Sequence, residues 1–353
     1  MVRHILPIMQ TRNVQLLPSI HPSYARLLVA HARKKGVDVD ALFRGNSLTW
    51  SDLLESQSFV SFEQFRRLLH QAQRLSDSPQ IELEISSISQ ASSHGPLGYG
   101  ALAAPTLRDT LDLVRNMLAT RIKLIKLEVV SGPDEVVYRV HETIDLGELR
   151  LFVLVMLVAS FIDLIGKTTG DDAPKLKVGL PLSKLENSSA YEAKFPSLSF
   201  VLGSECLEMH IPLELLDTPC LTVDEFAYRN ALRECEQLLV HEEKGGAFAR
   251  QVKTYLLSRS GHFPTQVEAA SDFCVSVRTF IRKLKLEETS YQSLLDEVRK
   301  ELVVWYLSNG SMTIEQIADQ LGYADTSNFS RVFRRWFNQT PSEFRTDHEP
   351  PFS

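Results

Sequence analysis

The chain has 353 residues, more than one hydrophobic core ordinarily supports, so two domains are expected. Its 44% hydrophobic and 23% charged residues are typical of a soluble globular protein. The net charge of −6 argues against a protein that coats nucleic acid through bulk positive charge, so any DNA-binding surface must be local.

The first eighty or so residues are predicted to form a helical subdomain. Tyr24 to Lys35 carries apolar residues at helical spacing, and Ser61 to Leu75 begins with the capping box Ser-Phe-Glu-Gln. In a capping box the first and last side chains exchange hydrogen bonds with each other's backbone, which favours a helix that begins there.

From residue 81 to about residue 221 the pattern becomes that of an α+β domain. Thr106 opens an amphipathic helix. Gly147 to Ile165 is predicted to be a buried helix, because its most apolar run, Leu151–Ile162, is shorter than the about 20 residues that span a bilayer. Strands are predicted at Ile81–Ile88, Leu124–Val130, Val136–Val140, Leu176–Leu180, Leu198–Leu202 and Leu207–Ile211.

Residues 222–246 are predicted to be a linker helix. Val223 to Glu243 carries Phe226, Leu232, Cys235 and Leu239 roughly on one face, and Gly245 and Gly246 follow it. A helix that ends in two glycines fits a linker, and its apolar face fits a dimer contact equally well.

Residues 247–353 repeat one helical pattern, at about 265–286 and about 313–338. Two capping boxes, which begin at Thr265 and Thr313, lie 48 residues apart. Beyond them, similar residues recur at a spacing of 49, namely Phe280 and Phe329, Arg282 and Arg331, and Leu284 and Phe333. The duplication predicts two helix-turn-helix units.

The second helix of each unit, 276–285 and 326–338, has an apolar face and a polar face. Phe280 and Leu284 point inward in the first helix, as do Phe329 and Phe333 in the second. The opposite faces carry Arg278, Ile281, Arg282 and Lys285 in the first helix, and Ser327, Ser330, Arg331 and Arg334 in the second.

Positive charge is concentrated on these two helices. Residues 245–353 hold 13 basic and 13 acidic residues, whereas 276–285 has four basic residues, 326–338 has three, and neither has an acidic one. A single charged stripe is commonly only a solvated helix face. Two stripes that coincide with a duplication favour a pair of major-groove readers, since arginine can bridge O6 and N7 of guanine.

Three C-terminal runs carry a specific pattern: Ile317–Tyr323, Ser327–Phe337 and Thr340–Arg345. Together with Thr289–Arg299, they resemble the DNA-binding domain of the AraC/XylS family of bacterial transcription regulators over about a hundred residues. The resemblance implies that bases are contacted by Arg278, Ile281, Arg282, Ser327 and Arg331. It also suggests phosphate contacts, which position a protein without reading sequence, for Ser276, Thr313 and Arg335.

This sequence departs from the family at three turns that usually hold glycine, where it has Cys274, Glu288 and Asn338. Glycine adopts positive φ freely, whereas another residue there costs on the order of 1 kcal/mol, with asparagine tolerated best. We therefore expect strained turns, above all in or beside the first unit.

The N-terminal runs His94–Gly100, Pro105–Leu111 and Leu207–Pro212 resemble a narrower group. They are similar to a sensing domain in regulators of amino-acid catabolism and virulence, and not to the sugar-binding barrel of the arabinose regulator. The resemblance implies a small-molecule effector and does not identify it. Candidate effector-binding residues are His94 and Tyr99, although a lone loop histidine is more often structural. The run Gly95–Gly100 lacks phosphate-loop spacing and is predicted to reverse the chain.

No motif predicts catalysis, a metal or a cofactor. The four cysteines form no C-x-x-C pair, so they are interpreted as reduced thiols of a cytoplasmic protein. A nucleophile elbow, an H-E-x-x-H motif and a paired-carboxylate arrangement are all missing from the sequence. An enzyme is therefore the less favoured interpretation of the α+β domain.

The sequence as a whole predicts an α+β effector-sensing and dimerisation domain at 1–221, a linker helix at 222–246, and an all-α DNA-binding domain at 247–353. Within the first domain, about 1–80 is helical and about 81–221 is α+β. The predicted function is sequence-specific activation or repression by a homodimer that contacts double-stranded DNA and RNA polymerase, without a membrane. A regulator that works through protein contacts alone, without an effector, remains the alternative.

Overall fold

The computed structural model describes residues 16–55, 59–170, 175–244, 247–259, 261–309 and 312–347. The predicted fold class is confirmed, because an α+β domain precedes a helical domain with two helix-turn-helix units. Gly245 and Gly246, on which the predicted linker partly depends, lie outside the described residues. The predicted domain boundaries therefore stay predictions.

The N-terminal domain opens with helices packed on a short pairing of β1 (Pro18–Ile20) with β2 (Val60–Ser61). Both helices predicted for this region are confirmed. The Ser61 side chain accepts a hydrogen bond from the Gln64 backbone, and the Gln64 side chain accepts one in return. The helices are α1 (Pro22–Lys34), α2 (Val39–Leu42), α3 (Trp50–Glu55), α4 (Phe62–Ser76) and α5 (Ile81–Ser86).

Helix α5 corrects the predicted strand at Ile81–Ile88. The alternation of apolar and acidic residues there also places Ile81 and Ile85 four residues apart, on one helix face, and both are buried. The Tyr191 hydroxyl donates a 2.6 Å hydrogen bond to the buried Glu82 carboxylate, on the side that a strand would have turned outward. The sequence fits the period of a strand and that of a helix equally well, and tertiary packing therefore determines that the segment is a helix.

A five-stranded open sheet forms the centre of the N-terminal domain. The strand order is β3-β4-β7-β5-β6, and every pairing is antiparallel except that of β5 with β6. All five strands occupy predicted positions. They are β3 (Ile125–Ser131), β4 (Glu135–Glu142), β5 (Leu176–Leu180), β6 (Leu198–Leu202) and β7 (Leu207–Pro212).

The long apolar helix packs within this domain. Between α5 and β5 the chain forms three α-helices: α6 (Pro96–Ala103), α7 (Leu107–Met117) and α8 (Arg150–Thr169). The rings of Tyr138 on β4 and Phe161 on α8 lie 5.9 Å apart. Within the described residues, one segment, Gly147–Thr169, is long and apolar enough to cross a membrane. In its most apolar stretch of 18 residues, 61% is buried in the fold.

Helix α6 corrects the predicted chain reversal at Gly95–Gly100. Only Gly95, at φ 56°, has turn geometry; Gly98 and Gly100 are helical and allow close packing. A Cβ on Gly98 would lie 1.8 Å from the Ala91 carbonyl oxygen, and one on Gly100 would lie 2.5 Å from the Ala231 Cβ. These two glycines therefore fix how closely α6 approaches its neighbours.

The predicted linker helix packs against α6 and α7. After α9 (Ser188–Lys194) and α10 (Leu213–Leu216), helix α11 spans Glu225–Lys244. Its residues Leu232, Cys235 and Leu239 pack against a small cluster around Leu97 and Met117. Phe226, which the sequence placed on the same face, is 72% exposed. Most of the apolar face of α11 is therefore covered by other helices of the same chain.

The C-terminal domain has its own apolar core. It is a helical array of α12 (Ala247–Ser258), α13 (Gln266–Asp272), α14 (Val277–Leu286), α15 (Tyr291–Asn309), α16 (Ile314–Gln320), α17 (Thr326–Phe337) and α18 (Pro341–Asp347). Residues from both predicted units share this core with Val298 and Leu302 of α15. Leu16, far away in sequence, is buried in the same core.

Candidate nucleic-acid interface

The first helix-turn-helix unit consists of α13 and α14. Thr265 caps α13 in a capping box with Glu268, and the Ser276 hydroxyl caps α14 by accepting from the Thr279 backbone. Between the two helices, the backbone N–H of Val275 donates to the Ala270 carbonyl and that of Cys274 to the Ser271 carbonyl. This Schellman geometry ends α13 and turns the chain sharply into α14.

The second unit repeats this construction in α16 and α17. Thr313 forms a capping box with Gln316, and the Asp325 side chain caps α17 by accepting from the Asn328 backbone. Gly322 stands 48 residues after Cys274 and makes the same turn, with φ 72°. The local sequence therefore specifies the same helix pair twice.

The two second helices bury the predicted residues and expose the predicted faces. Phe280, Leu284, Phe329 and Phe333 are at most 1% exposed. On the other side, Ile281 is 47% exposed, which leaves an aliphatic side chain free to meet a thymine methyl group. Ser330 is half-buried, and the other predicted side chains of these faces are exposed: Arg278, Arg282, Lys285, Ser327, Arg331, Arg334 and Arg335.

None of the basic side chains of these faces forms an ion pair among the described residues, although the charge of Arg334 contributes to the lowered pKa of Glu343. No ion pair involves Arg278, Arg282 or Lys285 in α14, nor any of the three arginines of α17. Arg331 donates one hydrogen bond, of 3.1 Å, to the Asn328 side chain. By contrast, the exposed Arg259 of the same domain lies 3.3 Å from Asp272. The positive charge of the two faces thus remains available to an anion.

The three residues suggested as phosphate contacts differ in their surroundings. Ser276 and Thr313 are exposed, and each already accepts a backbone hydrogen bond as a helix cap. Both stand at helix N-termini, where backbone N–H groups and the helix dipole favour anions. Arg335 is exposed at the other end of α17.

Helix α15 holds the two units on one scaffold, through a residue that the sequence analysis missed. The Arg299 guanidinium donates a 2.9 Å hydrogen bond to the Leu321 carbonyl at the turn of the second unit. It also stacks 4.8 Å from the ring centroid of Tyr323 and 5.4 Å from that of Phe263, which precedes the first unit. The available signal was the position of Arg299 at the end of the run Thr289–Arg299, which resembles the family.

All three predicted glycine departures adopt left-handed backbone conformations. Cys274 and Glu288 have φ 54°, and Asn338 has φ 56°. Glu288 follows α14 in a Schellman turn, in which the Thr289 N–H donates to Leu284 and the Glu288 N–H to Lys285. Cys274 and Glu288 carry the strain that the sequence predicted.

We expect Glu288→Gly to raise the free energy of unfolding of the C-terminal domain by about 0.5–1 kcal/mol. Relief of left-handed strain gains about 1–2 kcal/mol, and the greater freedom of glycine in the unfolded chain offsets up to about 1 kcal/mol. Urea denaturation measures the difference. Asn338→Gly is the matched control and should gain less, because asparagine tolerates this conformation; equal gains at both sites would contradict the strain argument.

The two candidate effector residues lie in different surroundings. His94 lines a cavity of about 130 Å³ in the N-terminal domain, and its Nδ1 is 2.8 Å from the Tyr24 hydroxyl. Burial, assisted by the Arg121 charge, lowers the pKa of His94 to about 4, so the ring is neutral at pH 7. Tyr99 is exposed outside this cavity, and its hydroxyl donates to the Glu234 carboxylate on α11.

Two family models match the chain. A model described as the arabinose-binding domain of the AraC transcription regulator, N-terminal, matches residues 36–220. A helix-turn-helix domain model matches residues 269–347. The first match covers the open sheet and its helices, and the second covers most of both units.

Curated relatives extend along most of the chain. The ornithine utilization regulator of Pseudomonas aeruginosa is 28% identical over 324 residues, which cover 92% of this chain and 95% of the relative. The regulator VqsM of the same organism is 25% identical over 275 residues, covering 74% and 82%. The crystal structure of the regulator CdpR from Pseudomonas aeruginosa aligns over 92% of this chain and 98% of its own, with a TM-score of 0.45 and 20% identity. These relatives are transcription regulators and not enzymes.

Proposed function

Since this chain belongs to the AraC family of transcription regulators, which bind DNA through a helix-turn-helix domain, we propose that α14 and α17 read two successive segments of the major groove. The observation that carries this proposal is the pair of exposed basic faces on one shared core. Successive major-groove segments on one side of B-DNA lie about 34 Å apart. A common core gives two readers a fixed separation, which such a site requires.

The side chains divide into base readers and phosphate contacts. Arg278, Arg282 and Arg331 read guanine edges, Ile281 meets a thymine methyl group, and Ser327 hydrogen-bonds to a base. Lys285, Ser330 and Arg334 share these faces and extend the contact along the groove. Ser276, Thr313 and Arg335 contact phosphates, because they lie at helix ends and carry donors.

The phosphate role of Arg335 has a measurable consequence. Arg335→Ala should weaken binding about equally for all DNA sequences and reduce the slope of log K against log salt by about 1, because one fewer counterion is released. Fluorescence anisotropy over a salt series measures this slope. Arg259→Ala, which removes an exposed arginine that is paired with Asp272, is the control and should leave the slope unchanged. An unchanged slope for Arg335→Ala would assign Arg335 to another role.

The N-terminal domain is the proposed sensing and dimerisation unit. Exposed apolar side chains on and before α11, at Leu221, Val223 and Phe226, support a homodimer contact there. A dimer would pair two DNA footprints in the cytoplasm, and the bound protein would activate or repress transcription by contacting RNA polymerase. A small-molecule effector would alter the geometry of the DNA-binding domains.

A contact between the domains supports control by an effector. The Arg67 guanidinium on α4 is 2.6 Å from the Glu63 carboxylate, and it donates a 3.4 Å hydrogen bond to the Val304 carbonyl on α15. Phe65 on the same helix lines the N-terminal cavity. One helix therefore contacts both the cavity and the scaffold of the reading helices.

We expect Arg67→Met to change the DNA affinity of the full chain about fivefold or more, because it removes this connection and an allosteric coupling is typically worth that much. Anisotropy with a selected DNA site measures the change. Arg74→Met is the matched control, since Arg74 lies on the same helix and hydrogen-bonds to Gln71 on the surface. If both variants bind like the wild type, α4 does not carry the coupling.

A further inference from the structure

The cavity of about 130 Å³ lies between α1, α8 and the β3–β4 hairpin, with the segment from α5 to α6 along one side. Its wall is mostly aliphatic and aromatic, as at Leu27, Phe65, Leu127 and Phe152. An engineered cavity of about 150 Å³ with a similar lining takes up benzene. The space therefore suits a small molecule, about the size of one substituted aromatic ring.

Neutral polar groups stand on the segment between α5 and α6. The Ser89 hydroxyl lines the cavity and is buried, and no described residue forms a hydrogen bond with it. A buried hydroxyl without a partner costs free energy, which a hydrogen bond to a bound molecule would recover. Ser89 thus favours an occupant that carries a polar atom.

His94 supplies a second polar group of known orientation. The Tyr24 hydroxyl lies within hydrogen-bonding distance of no other described acceptor, so it donates to Nδ1 of His94 and leaves the ring proton on Nε2. Arg121 holds this arrangement in place by donating to the Ser23 hydroxyl and the Ser93 carbonyl. His94 is therefore a neutral donor at the cavity wall.

The charges around the cavity do not suit an ionic occupant. Asp163 is the one charged side chain among the described lining residues, and it is paired with Lys167 at 2.7 Å. Arg121 lies behind this wall, 5.8 Å from the centroid of the Tyr24 ring, where it donates to Ser23 and Ser93, and it does not itself line the cavity. A carboxylate would lose its hydration here without direct contact with a cation, and an ammonium group would have to compete with Lys167 for Asp163.

We propose that this cavity is the effector site and that it takes a small, uncharged, largely apolar molecule with one hydrogen-bond acceptor, such as an ester, a ketone or a lactone. The acceptor faces the Nε2–H of His94 and the hydroxyl of Ser89, and the apolar part fills the space beside Phe65 and Phe152. This inference rests on the proposed sensing role of the N-terminal domain, and it excludes free amino acids from the site because they are zwitterions.

The test is binding of methyl benzoate to the full chain, followed by ligand-observed NMR and by the shift in melting temperature. Methyl benzoate should bind, and benzoate, its charged analogue, should bind at least tenfold more weakly. Ser89→Ala should weaken the binding of methyl benzoate about threefold to tenfold, as the loss of one hydrogen bond does. Ser87→Ala is the matched control and should have no effect, because Ser87 does not line the cavity.

Leu157→Trp places a large side chain in the cavity and should abolish binding of the ester while DNA binding is retained, which shows that the variant folds. Tighter binding of benzoate or L-ornithine than of methyl benzoate would overturn the proposed ligand class. Ester binding that survives Leu157→Trp would overturn the proposed location. No binding of methyl benzoate by a chain that still binds DNA would overturn this inference alone and leave the DNA-reading proposal standing.

Discussion

Arg331→Ala is expected to weaken binding to a selected DNA site by about 1–3 kcal/mol and to relax the preference at one base pair. The side chain is exposed on the face of α17, lacks an acidic partner among the described residues, and is oriented by its 3.1 Å hydrogen bond to Asn328. Truncation therefore removes a base contact without disturbing the core. Fluorescence anisotropy at about 150 mM salt, on fragments selected from a random library, measures the loss.

Arg282→Ala is the corresponding change in the first unit and should cost a similar amount at a different base pair. Arg259→Ala should leave both affinity and preference unchanged. If Arg282→Ala has no effect while Arg331→Ala does, only the second unit reads bases. If neither substitution alters the preference, α14 and α17 do not read sequence.

Lys253→Met is expected to lower the free energy of unfolding of the C-terminal domain by about 3–5 kcal/mol. The Lys253 ammonium lies 2.9 Å from the Glu301 carboxylate and joins α12 to α15. Burial opposes its charge, but Glu301 and Glu297 raise the pKa of Lys253, which keeps the lysine charged. Burial raises the pKa of Glu301, and the charge of Lys253 opposes that rise, so the lysine is what favours the carboxylate form. One Glu301 oxygen already lacks a partner among the described residues, and removal of the lysine would leave the whole carboxylate buried and unpaired.

The double variant Lys253→Met with Glu301→Leu separates this explanation from simple loss of packing. Replacement of both partners by apolar side chains removes the unpaired charge and should restore most of the lost stability. Urea unfolding followed through Trp305 and Trp336, in a Trp50→Phe background, reports on the C-terminal domain. A double variant that is no more stable than the single one would contradict the argument from buried charge.

The C-terminal interface could be predicted because its determinants are local. The capping boxes at Thr265 and Thr313 depend on residues three positions apart, and the inward pairs of α14 and α17 depend on residues four positions apart. Such local patterns can be recognised in a single sequence. The positive φ of Cys274 and Glu288 was expected from the resemblance instead, because the family usually has glycine at these turns.

The misread segments depend on contacts between distant residues. Ile81–Ile88 satisfies both a strand and a helix period, and the contact of Glu82 with Tyr191, 109 residues away, accompanies the helix. Gly98 and Gly100 resemble loop glycines, yet each is required by a close neighbour in a packed helix. One sequence without its tertiary contacts does not distinguish these cases.

The connection between the domains also could not be predicted from the sequence. Leu16 lies in the core of the C-terminal domain, and Arg67 reaches Val304, 237 residues away. Neither residue stands in a recognisable motif. The cavity is similar in this respect, because its walls come from segments that span more than a hundred residues and only His94 was singled out by its local pattern.

The most direct test of the central claim, two readers on successive major-groove segments, is guanine-N7 methylation interference on a selected site. The proposal predicts two groups of interfering guanines whose centres lie about 10 base pairs apart, with Arg282→Ala removing interference in one group and Arg331→Ala in the other. A single group of interfering guanines, or two groups that respond to the same substitution, would contradict it.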